Sequence, residues 1–367
     1  MADPRIENFA RILVDYSTDI QPGDRVIIET TTEAMPLVVE VFKRVVERGG
    51  RPHLQMEFPE QRALFLSLAT PELARMENEF TALAYREFEA RIRLWSEANT
   101  KALSSVNPQM QSAAASAFSA SLKNQFDRSA AGKFKWVTSI FPTQGYAMQA
   151  GMSLTEYSDF IFRAVHAHEA DPVAHWLKIK QEQQGYIDAL TGHDKVHLRG
   201  PNVDLQLSIK DRTWKNSHGR YNMPDGEIYT GPVETSLNGW VRYSYPAIED
   251  GVVVEDIELK FADGKVVSAT ARTQEAYLKQ MLATDEGASY VGEFAIGLNT
   301  DIDRFTGHIL LDEKIGGSFH MALGLGYPET GSKNTSAIHW DMICDLRQDS
   351  EILVDGEVFY KDGKFII

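Results

Sequence analysis

Cysteine is almost missing from this chain: Cys344 stands alone among 367 residues, so no internal disulfide can form and a cystine-stapled secreted scaffold is excluded. It lies in the apolar stretch Met342-Ile343-Cys344, which predicts a packed thiol rather than a nucleophile. A basic-then-apolar leader is missing too, and the start Met-Ala-Asp-Pro-Arg predicts a cytoplasmic protein. No apolar run reaches the roughly 20 residues that cross a bilayer, because even Pro36 to Val46 is broken by charges, so no membrane partner is expected. Basic excess is absent: 37 Lys and Arg face 52 Asp and Glu, a net charge of −15 that repels a phosphate backbone and argues against nucleic acid as a partner.

The common catalytic fingerprints are missing as well. The first strand-like run, Arg25 to Thr30, leads into Thr31-Thr32-Glu33, with none of the glycines of a dinucleotide turn. There is no phosphate-loop Gly-Lys-Ser/Thr, no Gly-x-Ser-x-Gly and no His-Glu-x-x-His. Gly324-x-Gly326 reads as a simple turn. The cluster His166-Ala-His168-Glu169-Ala-Asp171, with His175 beyond it, reads as a solvated helix junction, with Asp171 capping the next helix, rather than as a metal site.

What is present suits ordinary globular cores: 43% hydrophobic and 24% charged residues over a length that predicts two domains. In the first half, Ile6, Ile12, Leu13 and Tyr16 space one helix face. Arg25 to Thr30 reads as a strand, Leu37, Val38, Val41, Phe42 and Val45 as a helix stopped by Gly49-Gly50, and His53 to Met56 as the next strand. Strand, helix, strand predicts a parallel pair. Arg91 to Trp95 and Phe134 to Ile140 add two strands, and the Ala/Ser-rich Ser112 to Leu122 reads as a packed helix. A helix opened by Asp171-Pro172 and closed by Gly192 joins the halves. The expected division is therefore an α/β domain over 1–192 with a mainly parallel sheet, then a mainly antiparallel β (α+β) domain over 193–367. Every Asp-Gly pair of the chain falls in the second half, at 225, 250, 263, 355 and 362, as hairpin turns require, and one helix is expected from Gln274 to Ala283.

Five residues of that second half are carboxylates or imidazoles set in apolar or turn segments: Glu227, Glu293, His320, His339 and Asp341. Their types suit divalent metals, and His339 and Asp341, two apart on a strand, share one face. Two imidazoles with three carboxylates suit two metals bridged by a carboxylate. Taken singly, Glu293 also reads as a hydrogen-bonded strand residue and His320 as a core histidine, and spacing alone leaves both readings open.

The stretches Asn222 to Glu227, Gly292 to Gly297, Asp312 to Gly324 and His339-Trp340-Asp341 together resemble the aminopeptidase T and aminopeptidase S family of two-metal exopeptidases. So do Pro22 to Val26 and Ala150 to Leu154, which extends the resemblance over nearly the whole chain. The resemblance implies metal ligation by Glu227, Glu293, His320, His339 and Asp341, and a catalytic tyrosine seven residues after the first histidine, Tyr327. It also implies two divalent cations (zinc, cobalt or manganese), short peptides with a free N-terminus as substrates, and a homodimer. Glu293 is expected either to bridge the metals or to take the proton of the attacking water, and Glu313 to be a further site carboxylate or a structural one. Relatives of this family include iron-dependent ring-opening dioxygenases, for which His320, His339 and Asp341 would suffice. Glu227 and Glu293 are superfluous for one iron and favour the peptidase. A non-catalytic binding homologue is the third reading.

Overall fold

The computed structural model describes residues 3–249 and 251–366. The chain divides into two compact units: residues up to Trp176 with Gly219–Pro224, and Leu177–His218 with everything from Asp225 onward.

The first unit is built on a five-stranded sheet, ordered Arg51–Glu57, Arg25–Thr31, Ala90–Trp95, Lys135–Ile140 and Asn222–Met223, with every pairing parallel. Val26, Ile27 and Ile28 are all buried, the continuous apolar run that a covered parallel strand needs. The helix Met35–Glu47 turns Leu37, Val38, Val41 and Val45 inward and gives way to Gly49, whose φ of 79° is left-handed. The N-terminal segment departs from the expected single helix: Pro4–Arg11, capped by Asp3, passes into a π-helical turn over Ile12–Ser17, so the 3.6-residue spacing breaks at Ile12. The Ala/Ser-rich stretch lies inside the helix Pro108–Ala130, as expected for its conformation. Its packing is narrower than expected, with only Ala113 and Ser121 of the stretch buried, because small side chains carry little apolar surface to bury.

The second unit is antiparallel. One sheet has eight strands, from Lys265–Thr270 at one edge to Lys364–Phe365 at the other. A second has five, in the order His339–Asp345, Ser318–Gly324, Val291–Gly297, Glu227–Thr230, Lys215–Ser217. Three Asp-Gly pairs make the predicted hairpins: Asp263-Gly264, Asp355-Gly356 and Asp362-Gly363 each hold two successive left-handed residues between paired strands. Asp225-Gly226 does not. It follows the last strand of the parallel sheet and leads into Glu227–Thr230 of the five-stranded one, so it joins two sheets rather than two hairpin arms. Asp250 lies outside the described residues. The expected helix forms at Glu275–Leu282.

Both sheets contribute to one core: Leu198, Leu205, Val241 and Leu259 from the larger sheet, Phe294, Phe319, Met321, Trp340 and Met342 from the smaller. Since strand residues alternate faces, burying Phe294, Phe319, Met321, Trp340 and Met342 on one side fixes Glu293, His320, His339 and Asp341 on the other. Among the described residues no helix is long and apolar enough to cross a membrane.

Candidate metal centre

The strand register sets the spacing of the site. Glu293, Ala322 and Asp341 lie abreast on three neighbouring strands, and Tyr229, Ala295, His320 and Ile343 form the adjacent row. Strands sit about 5 Å apart, so Glu293 and Asp341 are separated by about 10 Å at the backbone. Alanine between them leaves room for their side chains to lean together. A bulge at Gly292 turns Glu293 toward this face. Gly292 has no substitute there: a Cβ would lie 2.3 Å from the carbonyl oxygens of both Gly324 and Leu325. That Leu325 carbonyl accepts the Nδ1 hydrogen of His339 at 2.8 Å, which leaves Nε2 as the ring's free ligand atom.

His339 Nε2 lies 3.2 Å from Glu293 Oε2 and 3.6 Å from Asp341 Oδ2. Ligand atoms of Glu293, His339 and Asp341 all fall within 4.8 Å of one another, and so do those of Glu313, His320 and Asp341. The two groups share Asp341. His320 Nε2 is in turn 3.5 Å from Glu227 Oε2, so all five residues named from the sequence lie in one contiguous cluster. Tyr327 packs its ring 5.3 Å from that of His339 and 5.4 Å from that of Tyr229.

Two further residues belong here: Lys314, to which the sequence analysis gave no role, and Glu313. Lys314, fully buried, donates to Glu227 Oε1 at 2.7 Å and to Glu313 Oε1, and its Nζ is 4.0 Å from Asp225 Oδ1. Glu313, left open between a site and a structural role, stands with His320 and Asp341. The sequence did carry a signal: Asp312, Glu313 and Lys314 interrupt an otherwise apolar Ile309-Leu310-Leu311 and Ile315. They are held in place by the short helix Ile309–Asp312, whose Asp312 carboxylate accepts from Thr306 N at 2.7 Å and Thr306 Oγ1 at 2.8 Å. Burial pushes the Asp312 carboxyl up to about 7.

The electrostatics are those of crowded, desolvated acids. Burial raises the Glu227 carboxyl well above the usual range, with Glu313, Glu293 and Asp225 adding to the rise and Lys314 opposing it. Glu313 is raised by burial and by Asp341. Burial and then Glu293 and Asp341 hold the Tyr327 phenol far above its ordinary value, so it keeps its proton. His339 is pushed up to about 10: burial opposes its charge, but Asp341 and Glu293 outweigh it. Three buried atoms of the cluster, Glu227 Oε2, His320 Nδ1 and Asp341 Oδ1, make no hydrogen bond. Carboxylate and imidazole atoms left open in such a place are the donor set that hard and borderline divalent cations take. The residues therefore fit a metal.

A profile of the thermophilic metalloprotease family (M29) matches residues 2–365. Aminopeptidase 2 of Geobacillus stearothermophilus is 26% identical over 99% of this chain and 95% of its own length. Aminopeptidase T of Thermus thermophilus has a solved structure that superposes with a TM-score of 0.87 at 24% identity, covering 99% of both chains. A 2,5-dihydroxypyridine dioxygenase of Pseudomonas putida shares the fold more distantly, with a TM-score of 0.55 at 13% identity over 99% of this chain and 96% of its own.

Proposed function

The chain belongs to the thermophilic metalloprotease family (M29), and we propose that it is a metal-dependent aminopeptidase that removes the N-terminal residue from short peptides. The observation that carries this reading is a surplus of buried acids: Asp225, Glu227, Glu293, Glu313 and Asp341 gather around one ammonium, Lys314, and two imidazoles. With all the acids ionised and both imidazoles neutral, as ligation would require, five negative charges less one positive would leave four, the charge that two divalent cations would offset. The proposed ligands are Glu293, His339 and Asp341 at one position, and Glu313, His320 and Asp341 at the other with Glu227 beside His320. Zinc, cobalt and manganese all accept this set.

When bound, such cations acidify a water and polarise the scissile carbonyl. Asp341 belongs to both groups and would help to hold either cation, and Glu293 would receive the water's proton on the oxygen turned away from His339. Tyr327, holding its proton, donates to the oxygen that becomes negative as the carbonyl is attacked. The acidic surroundings favour a substrate α-ammonium, which accounts for exopeptidase action. The proposal includes a homodimer in the cytoplasm; elution as a 41.2 kDa monomer would overturn the dimer.

The test is release of leucine from Leu-Gly-Gly and from its N-acetyl form by chelator-stripped protein reloaded with cobalt or zinc. Release from the free-amine peptide alone is expected. Equal release from both would refute exopeptidase recognition. No release from either, with metal bound, would move the assignment to the single-iron dioxygenase reading, checked by oxygen uptake.

A further inference from the structure

Lys314 is an unusual occupant of a candidate metal centre: an ammonium buried to 1% exposure among carboxylates. Among the described residues its ion pairs are with Asp225, Glu227 and Glu313. Glu313 belongs to one of the two ligand groups and Glu227 adjoins that same group through His320, whereas Glu293 and His339, which with Asp341 form the other group, are not among its partners. We propose that the Lys314 ammonium is a built-in cation that makes the two metal positions unequal, tight at Glu293–His339–Asp341 and weak at Glu313–His320–Asp341. The inference rests on the two-metal reading above.

The argument is one of shared charge. At the Glu293 position, no lysine or arginine pairs with either carboxylate among the described residues; their partner is His339, itself one of the proposed ligands and already oriented by the Leu325 carbonyl. At the Glu313 position, Oε1 of the carboxylate is engaged by Lys314, and so is Oε1 of the neighbouring Glu227, which leaves Oε2 of Glu227 open toward His320. A divalent ion arriving there shares two carboxylates with a fixed positive charge a few ångströms away, and in a buried site that repulsion is weakly screened. Occupancy of the second position, and with it activity, then follows the free metal concentration while the first position stays filled.

Calorimetric titration of the stripped full-length protein with zinc, paralleled by the visible absorption of cobalt, reads this directly. The wild type is expected to take one tight equivalent and a second at least about tenfold weaker. In Lys314→Met the second equivalent tightens by about tenfold or more while the first moves less than about threefold. Two equal equivalents in the wild type, or an unchanged second constant in Lys314→Met, would overturn the inference and leave the two-metal reading intact. No metal bound by the wild type would refute that reading itself. Where circular dichroism shows that Lys314→Met does not fold, Glu313→Gln decides: loss of the weak equivalent alone supports the inference, and loss of the tight one overturns it.

Discussion

Two buried polar clusters, one in each unit, show how differently charge can be put inside a protein. In the first unit, Glu29 accepts from Tyr85 Oη at 3.0 Å and from Arg93 Nε at 2.9 Å, while Arg91 reaches Tyr85 Oη at 3.1 Å and Thr138 Oγ1 at 2.6 Å. The Arg91 guanidinium also lies over the Trp136 ring at 5.2 Å. Most of the cluster's polar groups pair within it, and among the described residues Arg91 Nε and Trp136 Nε1 are left over. The second unit reverses the balance: carboxylates outnumber cations, and acceptor atoms of Glu227 and Asp341 stay open. A cluster that completes its own pairing is scaffold. One that needs charge from outside is built for a ligand.

The sharpest way to break that comparison is to neutralise one carboxylate in each cluster. Asp341→Asn removes the residue common to both ligand groups. Metal content should collapse and peptidase activity fall by more than about 10³-fold, with the melting temperature of the metal-free protein close to that of wild type, since a charge that repels Glu313 and attracts His339 has gone. A fall of several degrees in that metal-free melting temperature would show that the cluster is scaffold after all. Glu29→Gln should do the opposite. It takes the nearest carboxylate from the half-buried Arg93 and from the neighbourhood of the buried Arg91, costing about 3 kcal/mol and lowering the melting temperature by about 10 °C, with activity per folded molecule unchanged. Calorimetry beside active-site titration separates the two.

Tyr327→Phe sharpens the functional half. It removes one hydrogen bond to a developing charge and no metal ligand, so kcat should fall by about 10²–10³-fold while KM and metal content hold. A change confined to KM would place Tyr327 in binding alone. The smallest effect concerns pH and lies in the first unit. Burial, then the neighbouring His175 and His168, lowers His166 to about 3. The unfolded chain therefore takes up that proton more readily than the folded one. Nothing is lost above about pH 6.5, and stability falls below it, by about 2 kcal/mol at pH 5. His166→Asn, which tolerates the left-handed backbone at this position (φ 56°), should remove that slope in urea midpoints measured between pH 5 and 7.

The fold class was legible because it rests on local chemistry. The uninterrupted Val26-Ile27-Ile28 signals a covered parallel strand, and three of the Asp-Gly pairs supply the left-handed turns they predict. The same local rule failed at Asp225-Gly226, where the chain changes sheets, because no short-range signal says which strand a segment will pair with. It also missed the π-helical turn at Ile12, which a 3.6-residue pattern cannot represent. Of the site, the ligand types and the shared face of His339 and Asp341 were readable, since alternation along a strand follows from the backbone alone.

What the sequence by itself determined is therefore the inventory: the carboxylates and imidazoles Glu227, Glu293, His320, His339 and Asp341 in a mainly antiparallel half, with His339 and Asp341 on one face of a strand. What only the tertiary structure decided is the partnership among those residues. Asp341 stands between two ligand groups, Glu313 joins one of them, and Lys314 holds Glu227. Each of these depends on register and on the 298–317 connection, which set contacts between residues up to 87 positions apart. Cross-strand geometry is fixed by the packing of the whole unit, and charges separated along the chain acquire their strength only when that packing brings them together and removes the water.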